Sequence, residues 1–451
     1  MTRHVRWFGL IATLLLVTAA RDWSMVGFGP GRTAFSAKES KITPVNVSGL
    51  TERWSSVAGT GTSSPVTSGG RVFVTTQPVG NTAPGELRAY DGSGCPSQTP
   101  APCSPVWLVS MRLPVDNIQF PLVAPPLVAG GKVWAGSQGF DFSLVTRFLV
   151  YPFFTFGGGF DPSTGAKLEE GSFSQQYPLE SAGTMFGYVQ NAFFNPSSIG
   201  GNRYMSYPSL VARPTNGTGG ESTILINPPV GPTAIVGGSI YILANDSVLA
   251  FDAAASPAQC AASFPAPSGF FPAFSCRPKW SARLGHAGGF DALPTVTHGR
   301  VYVPELNGNI DVFDAAGCGA ITCPPLWTAH AGSVHIGPLA VTDDTMFAAS
   351  DDGHLYALSP EGCGAPTCES MWSSNVGSPL HSPSVAGSVL FAGSEDGHLY
   401  AFDATGCGRV TCTSKWAGVT RATVRTAPVI SDGRVFVTDD TGALHAFALT
   451  P

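Results

Sequence analysis

Pro383-Ser384-Val385-Ala386-Gly387-Ser388-Val389-Leu390-Phe391-Ala392-Gly393-Ser394-Glu395-Asp396-Gly397-His398-Leu399-Tyr400-Ala401-Phe402-Asp403 contains a proline, a short strand, a Gly-Ser turn, a second strand, an Asp-Gly turn and a third, alternating strand. Asp-Gly between alternating strands is a strong hairpin signal, because both central residues of the tight turn need positive φ. The stretch therefore reads as an antiparallel meander. Its third strand returns as Asp352–Leu358, Asn307–Asp314 and Thr441–Phe447. Its first strand pair returns as Pro294-Thr295-Val296 with Val301-Tyr302-Val303 and as Pro428-Val429-Ile430 with Val435-Phe436-Val437. Earlier copies begin at Pro65, Pro126, Pro232 and Pro338, and the period in the C-terminal half is about 45 residues.

A fourth strand in each unit is marked by tryptophan, at Trp107, Trp280, Trp327, Trp372 and Trp416, with the last three intervals 47, 45 and 44 residues. One large apolar side chain per unit predicts a wedge that docks one unit on the next. A four-stranded sheet cannot bury both faces alone, so such units stack or close radially, as propellers do with roughly 4 to 8 blades. The two ends of the chain complement each other. The last copy stops after Phe447-Ala448-Leu449 without a tryptophan strand, and Thr51-Glu52-Arg53-Trp54 is a tryptophan strand without a preceding meander. The expectation is that the strand around Trp54 completes the last blade. Seven copies are legible, and the gap from Pro126 to Pro232 predicts one degenerate blade at about 180–225, giving eight blades, with seven as the alternative. The fold class is all-β, in agreement with 54 glycines, 38 prolines and only 12% charged residues.

Arg3 and Arg6 precede an apolar run from Gly9 to Ala20, followed by Arg21 and Asp22. That order predicts a signal peptide over residues 1–20 and a single exported domain over 21–451, with a retained N-terminal anchor as the alternative. The run is short for a membrane span, which needs roughly 20 apolar residues. The net charge of −6 and the lack of a basic cluster exclude the electrostatic footprint of a nucleic-acid binder.

The ten cysteines fall in five local pairs: Cys95 with Cys103, Cys260 with Cys276, Cys318 with Cys323, Cys363 with Cys368, and Cys407 with Cys412. Every pair lies between a third strand and the position of a tryptophan strand. An even number of cysteines, recurring at one place in an exported repeat, predicts one structural disulfide across each of these loops. Zinc is the competing reading, since two cysteines supply half of a four-ligand site. Loops on separate blades rarely bring two such pairs together.

The copies from Pro294 onward, with Asp22-Trp23-Ser24-Met25-Val26-Gly27 and Ile42-Thr43-Pro44-Val45-Asn46-Val47 at the front, resemble the pyrroloquinoline-quinone (PQQ) type propeller proteins. That superfamily holds both quinoprotein alcohol dehydrogenases and non-catalytic eight-bladed scaffolds such as BamB, so the resemblance implies blades without fixing a chemistry. A quinoprotein site would imply adjacent cysteines, calcium ligands, a catalytic aspartate and cations for a three-carboxylate cofactor. This chain has no Cys-Cys pair, its cysteines are all in the rim loops, and it has only six lysines. No catalytic or metal-ligating residue is assigned, and no cofactor is expected, PQQ with calcium being the alternative. The third position before each first-strand proline, which should face the mouth of a central channel, holds Asp291, His335, Leu380 and Arg425, with His381 adjacent. Asp291, His335, His381 and Arg425 are the candidate binding residues, weighed against plain solvated loops. The Asp351-Asp352, Glu395-Asp396 and Asp439-Asp440 turns read as hairpin turns. Residues 140–204 are rich in Phe and Tyr, either as the core of divergent blades or as an apolar insertion that docks a partner. The sequence thus points to a secreted or envelope-facing, non-catalytic propeller that binds a protein partner. The alternatives are a divergent PQQ-dependent alcohol or sugar dehydrogenase and a carbohydrate or cell-wall binding propeller.

Overall fold

The computed structural model describes residues 22–57, 61–77, 85–95, 102–111, 118–141, 153–170, 176–182, 184–194, 204–214, 222–225, 233–244, 246–253, 260–262, 273–276, 278–286 and 292–450. Among these the only helical element is one 3-10 turn, Val47–Gly49. The strands form eight sheets, each an up-and-down antiparallel meander at its core.

The first sheet is Val66–Ser68, Arg71–Thr76, Gly85–Asp91 and Trp107–Met111. In the second, Leu127–Ala129, Lys132–Asp141, Phe153–Phe160 and Lys167–Glu170 follow one another, and Ile118–Val123 also pairs with the second of these. Gln176–Ser181, Thr184–Phe194, Tyr204–Pro214 and Ser222–Leu225 make the third, in the region where the sequence placed a degenerate repeat. The fourth holds Thr233–Val236, Ser239–Ala244, Ser247–Asp252 and Trp280–Arg283, and the fifth Thr295–Thr297, Arg300–Pro304, Asn309–Asp314 and Trp327–His330. The sixth comprises Ala340–Val341, Met346–Ala349, His354–Leu358 and Trp372–Asn375, and the seventh Leu380–Ala386, Val389–Ser394, His398–Asp403 and Trp416–Val419. In the eighth, Val429–Ser431, Arg434–Thr438 and Ala443–Leu449 are joined by Leu50–Val57 from the other end of the chain, which pairs antiparallel with Ala443–Leu449.

Consecutive sheets touch through their first strands, and the first strand of the eighth touches that of the first. Alternation decides what is buried between them. In His398–Asp403 the side chains of Leu399 and Ala401 are fully buried while His398 and Tyr400 are half exposed.

The tryptophans and cysteines work as one device at the outer edge. Five of the fourth-strand tryptophans lie against a glycine of the next sheet: Trp54 on Gly94, Trp107 on Gly165, Trp280 on Gly317, Trp327 on Gly362 and Trp372 on Gly406. At Gly317 a Cβ would sit 2.5 Å from the Trp280 ring, and φ is +87°, so both space and backbone demand glycine there. The loops that follow Gly94, Gly317, Gly362 and Gly406 carry cysteines, and Cys95–Cys103, Cys318–Cys323, Cys363–Cys368 and Cys407–Cys412 are disulfide-bonded. These loops do more than brace their own sheet. The Cys323 N–H donates to the Ser281 carbonyl of the preceding sheet at 2.8 Å, Cys412 N–H to Ser373 at 2.8 Å, and Cys103 N–H to Ser55 at 2.7 Å. Thr367-Cys368 pairs in parallel with Thr328-Ala329. Cys260 and Cys276 face each other in backbone register on a strand pair that adds, again in parallel, to Ser222–Leu225. All five cysteine loops therefore cover the exposed edge of the sheet before them, where an unpaired strand would invite aggregation.

The segment before Val47 was not legible as structure in the sequence. It runs along the far ends of the first strands in chain order, its carbonyls accepting from Thr67 N–H (by Trp23), Val128 (Ser24), Ile235 (Pro30), Val296 (Gly31), Val341 (Thr33), Val385 (Ala34) and Gly387 (Ser36), all at 2.7–2.9 Å. Glu39 then accepts from Gly433 N–H of the eighth sheet at 3.0 Å, and Lys41 pairs with Asp432. Innermost strands have no neighbour on their inner edge, and this lace supplies the missing acceptors. Trp23 and Arg32 are fully buried within it. The Arg32 guanidinium donates to the carbonyls of Thr233 (3.1 Å) and Val26 (2.6 Å), which is how a cation is tolerated there.

Candidate functional site

At the opposite ends of the first strands, five side chains from three sheets meet. His335, in the loop before the sixth sheet, lies with Nδ1 3.3 Å from Oδ2 of Asp351, which sits in that sheet's second turn. The other oxygen of Asp351 is 3.7 Å from Nδ1 of His381, at the start of the seventh sheet. His381 Nε2 is 3.4 Å from Glu395 Oε1 and 3.5 Å from Arg425 Nη1, and Arg425 itself pairs with Glu395. His381 is presented by a bulge between His381 and Ser384, where Ser382 holds a positive φ of 42° and its hydroxyl donates to the Arg425 carbonyl at 3.1 Å. Non-glycine residues adopt that conformation rarely, and the bulge places the imidazole between two carboxylates. Burial, and next the Arg425 charge, hold the His381 pKa below its ordinary value against the pull of Asp351 and Glu395, so the ring is neutral at pH 7.

Two further buried acid sites recur at matching repeat positions. In the eighth sheet His445 is held between Asp439 (Nε2 to Oδ2, 3.0 Å) and Glu52 (Nδ1 to Oε1, 2.8 Å), tying the last strand to the N-terminal one. Burial lowers the His445 pKa, but hydrogen bonds to Asp439 and Glu52 outweigh it and raise the value, because the protonated ring can donate from both nitrogens to the two carboxylates. In the fifth sheet the same two positions hold Glu305 and Asp311, both buried. Burial, then the neighbouring Asp311 charge, push the Glu305 pKa up to about 7, while Gly285 N–H donates to Glu305 at 2.9 Å. Thr328 donates to Asp311 at 2.7 Å.

The two sites act in the same direction. Glu305 has a folded pKa above its unfolded one, so its contribution declines as pH rises from about 4.5 to about 7. The raised pKa of His445 makes its contribution fully present below about 6.5 and lost as pH rises through the higher folded value. Stability is therefore expected to fall as pH rises from about 4.5 through neutrality. Glu305→Gln should recover on the order of 1 kcal/mol at pH 8 and nothing at pH 4.5, read from urea melts at the two pH values. An equal effect at both would mean that the Glu305 pKa is not raised in the folded state.

Comparisons with known proteins bear on this geometry. Residues 365–450 match the family profile described as outer membrane protein assembly factor BamB. Among solved structures, BamB from Moraxella catarrhalis is similar with a TM-score of 0.53 at 13% identity, covering 88% of this chain and 97% of that one. A europium-containing methanol dehydrogenase has a TM-score of 0.56 at 12% identity, over 95% of this chain and 98% of that one. The computationally designed protein Ika8 has the same TM-score at 12% identity, over 88% and 99%. The fold is that of a PQQ-like β-propeller. No curated protein matches the chain.

Within this propeller the predicted binding residues divide. His335, His381 and Arg425 are brought together, whereas Asp291 lies outside the described residues. Leu380, which shares their position before the first-strand proline, is buried and forms part of the seventh sheet instead. Asp351 and Glu395, read from sequence as ordinary turn residues, turn out to be the links between the three. The aromatic-rich stretch 140–204 falls largely outside the described side chains. Among the described residues no three His, Cys, Asp or Glu side chains converge as metal ligands. No described helix is long and apolar enough to cross a membrane.

Proposed function

We propose that this chain is an exported, non-catalytic propeller of eight blades, closed by Leu50–Val57, that presents a rigid surface to a protein partner in the cell envelope or outside the cell. The eight sheets whose first strands touch in sequence, the last against the first, support the blade count and the closure. The disulfide-bonded rim supports an oxidising compartment, where such bonds persist. The observation that carries the non-catalytic reading is the charge at the loop-bearing end. PQQ has three carboxylates and needs converging cations. The cluster here offers Arg425, already paired with Glu395, next to Asp351 and a neutral His381. That donor set repels a polycarboxylate, so the described residues do not suit the cofactor of the superfamily's dehydrogenases.

The discriminating experiment is a calorimetric titration of the purified chain, starting at residue 22, with PQQ and calcium. No heat above dilution is the expected result. Micromolar binding that disappears in Arg425→Ala would replace this proposal with a quinoprotein dehydrogenase and direct the search to alcohol or sugar oxidation.

A further inference from the structure

Resting on the scaffold reading, we infer that the outer edge of Trp416–Val419, the fourth strand of the seventh sheet, is the docking site for an extended segment of the partner, which adds to it as a parallel strand. The chain's own rim loops show what such an edge takes. Ser281 N–H donates to the Ile321 carbonyl at 2.7 Å, and the Ser281 carbonyl accepts from Cys323 N–H at 2.8 Å. Thr328 N–H donates to Pro366 and Ser373 N–H to Val410, both at 2.9 Å, and the Ser373 carbonyl accepts from Cys412 N–H. The residues opposite are Thr322, Thr367 and Thr411, each in parallel pairing. In each loop an apolar residue leads, a threonine pairs and a cysteine follows. Ala417 stands where Ser281, Thr328 and Ser373 stand, one residue past the tryptophan. Like Ser373 it lies opposite a tyrosine of the third strand. The flanking bonds, Lys415 N–H to Ala401 and Thr420 N–H to Gly397, repeat those of Met371 to Ala357 and Val376 to Gly353, so the Ala417 N–H and carbonyl point outward as those of Ser373 do. Among the described residues nothing pairs with them. The covering loop of the other sheets joins a third strand to a fourth, and in the eighth sheet those strands, Ala443–Leu449 and Leu50–Val57, have no such loop between them.

The side chains along the strand differ in the same sense. At its second and fourth positions the covered strands carry Ser281 and Arg283, Thr328 and His330, and Ser373 and Asn375, whereas the seventh sheet has Ala417 and Val419, both exposed. Open edges are guarded by charged or polar residues, and this one is apolar where its covered counterparts are polar, which is the composition of an edge that something else covers. Charge stands at its two ends. Lys415 precedes the strand and Arg421 follows it by two residues, both exposed. The acid nearest in charge to Arg421, Glu52, is already held by His445. A segment with an apolar residue and a threonine at its centre and acidic residues at its ends therefore complements both the edge and its flanks, and that is the occupant we assign. The first sheet's outer strand, Trp107–Met111, also has no cysteine loop upon it, but Val106 stands where Lys415 does.

The test uses the chain from residue 22 and three peptides: acetyl-Asp-Asp-Val-Thr-Val-Ser-Asp-Asp-amide, its counterpart with lysine for every aspartate, and the acidic peptide N-methylated at the residue after threonine, which cannot donate to the Ala417 carbonyl. Calorimetry and hydrogen–deuterium exchange read by mass spectrometry follow binding. The acidic peptide is expected to bind and to slow exchange in the segment that contains Ala417. N-methylation of the peptide and Ala417→Pro in the protein should each weaken binding about fivefold, since each removes one hydrogen bond. Proline is tolerated at an edge position whose N–H faces solvent, so the variant keeps its fold. Lys415→Glu should weaken the acidic peptide and favour the lysine one, while Leu108→Pro, at the matching position of the first sheet, should change nothing. No binding of the acidic peptide, no loss on N-methylation, or equal losses in Ala417→Pro and Leu108→Pro would each overturn the proposal. Self-association of the chain that Ala417→Pro abolishes would overturn it too, by giving the edge to a second copy. Such a failure leaves the scaffold reading in place, whereas binding of PQQ with calcium removes that reading without bearing on the peptide result.

Discussion

A chain that begins at residue 42, with Leu50–Val57 intact, is expected to lose its cooperative unfolding transition and to bind hydrophobic dyes, while the chain from residue 22 melts as one unit. The loss follows from what residues 22–41 cover. Six first-strand N–H groups in six sheets, and the Gly387 N–H just beyond one of these strands, give their hydrogen bonds to carbonyls of this segment, and an eighth, from Gly433, goes to the Glu39 carboxylate. A buried donor left without a partner costs about 1–3 kcal/mol, and a folded domain has only about 5–15 kcal/mol to lose. Water entering the axis would satisfy some of these groups, but it would also wet the surfaces that Trp23, Met25 and Val26 bury. The single substitution Trp23→Ala is the milder form of the same experiment and should cost about 3–5 kcal/mol in urea unfolding, because nothing beside a fully buried indole can collapse into so large a space. If the shortened chain melts at the temperature of the longer one, the segment is filler and the inter-sheet contacts suffice alone.

The contrast between what the sequence revealed and what it concealed has a physical cause. Asp396-Gly397 and the tryptophan at each fourth strand are short-range signals: a turn demands its glycine and a wedge its indole, whatever the rest of the chain does. The cysteine pairs were legible for the same reason, five or eight residues apart in the described bridges. Their second role, pairing with the sheet before, was not, because it is made by backbone groups such as Ser281 and Ser373 that leave no mark on residue choice. The lace is hidden more deeply. It has no copy elsewhere in the chain, and its contacts are carbonyls whose partners lie up to hundreds of residues away. Of the polar cluster, position relative to the first-strand proline found His335, His381 and Arg425. Asp351 and Glu395 were missed because an acid before Asp-Gly is fully explained by the turn, and only the meeting of two sheets gives it a second task. Aligning the repeats would have exposed Glu305 and Asp311, which stand six residues apart where the eighth sheet has Asp439 and His445.

Reduction of the disulfides under native conditions is expected to lower stability substantially and to drive the protein into larger soluble oligomers. By loop entropy alone a bridge closing about six residues is worth roughly 2 kcal/mol, so the four described bridges together approach the stability of a whole domain. The larger consequence concerns edges. Each bridge shapes a loop that donates a backbone N–H to the outermost strand of the sheet before it, at Ser55, Ser281 or Ser373, or that pairs with Thr328-Ala329. A slackened loop releases that strand, and an unpaired edge next to a tryptophan is a template for another chain. The two effects separate experimentally. Cys318→Ser with Cys323→Ser, Cys363→Ser with Cys368→Ser, and Cys407→Ser with Cys412→Ser should each shift the urea midpoint. Their combination should add a sedimenting oligomer that the single pairs lack, since oligomer growth needs several released edges on one molecule. A reduced protein that is less stable yet sediments as the oxidised one does would assign the bridges to loop entropy alone. It would leave the covering of the edges to the tryptophan contacts on Gly317, Gly362 and Gly406.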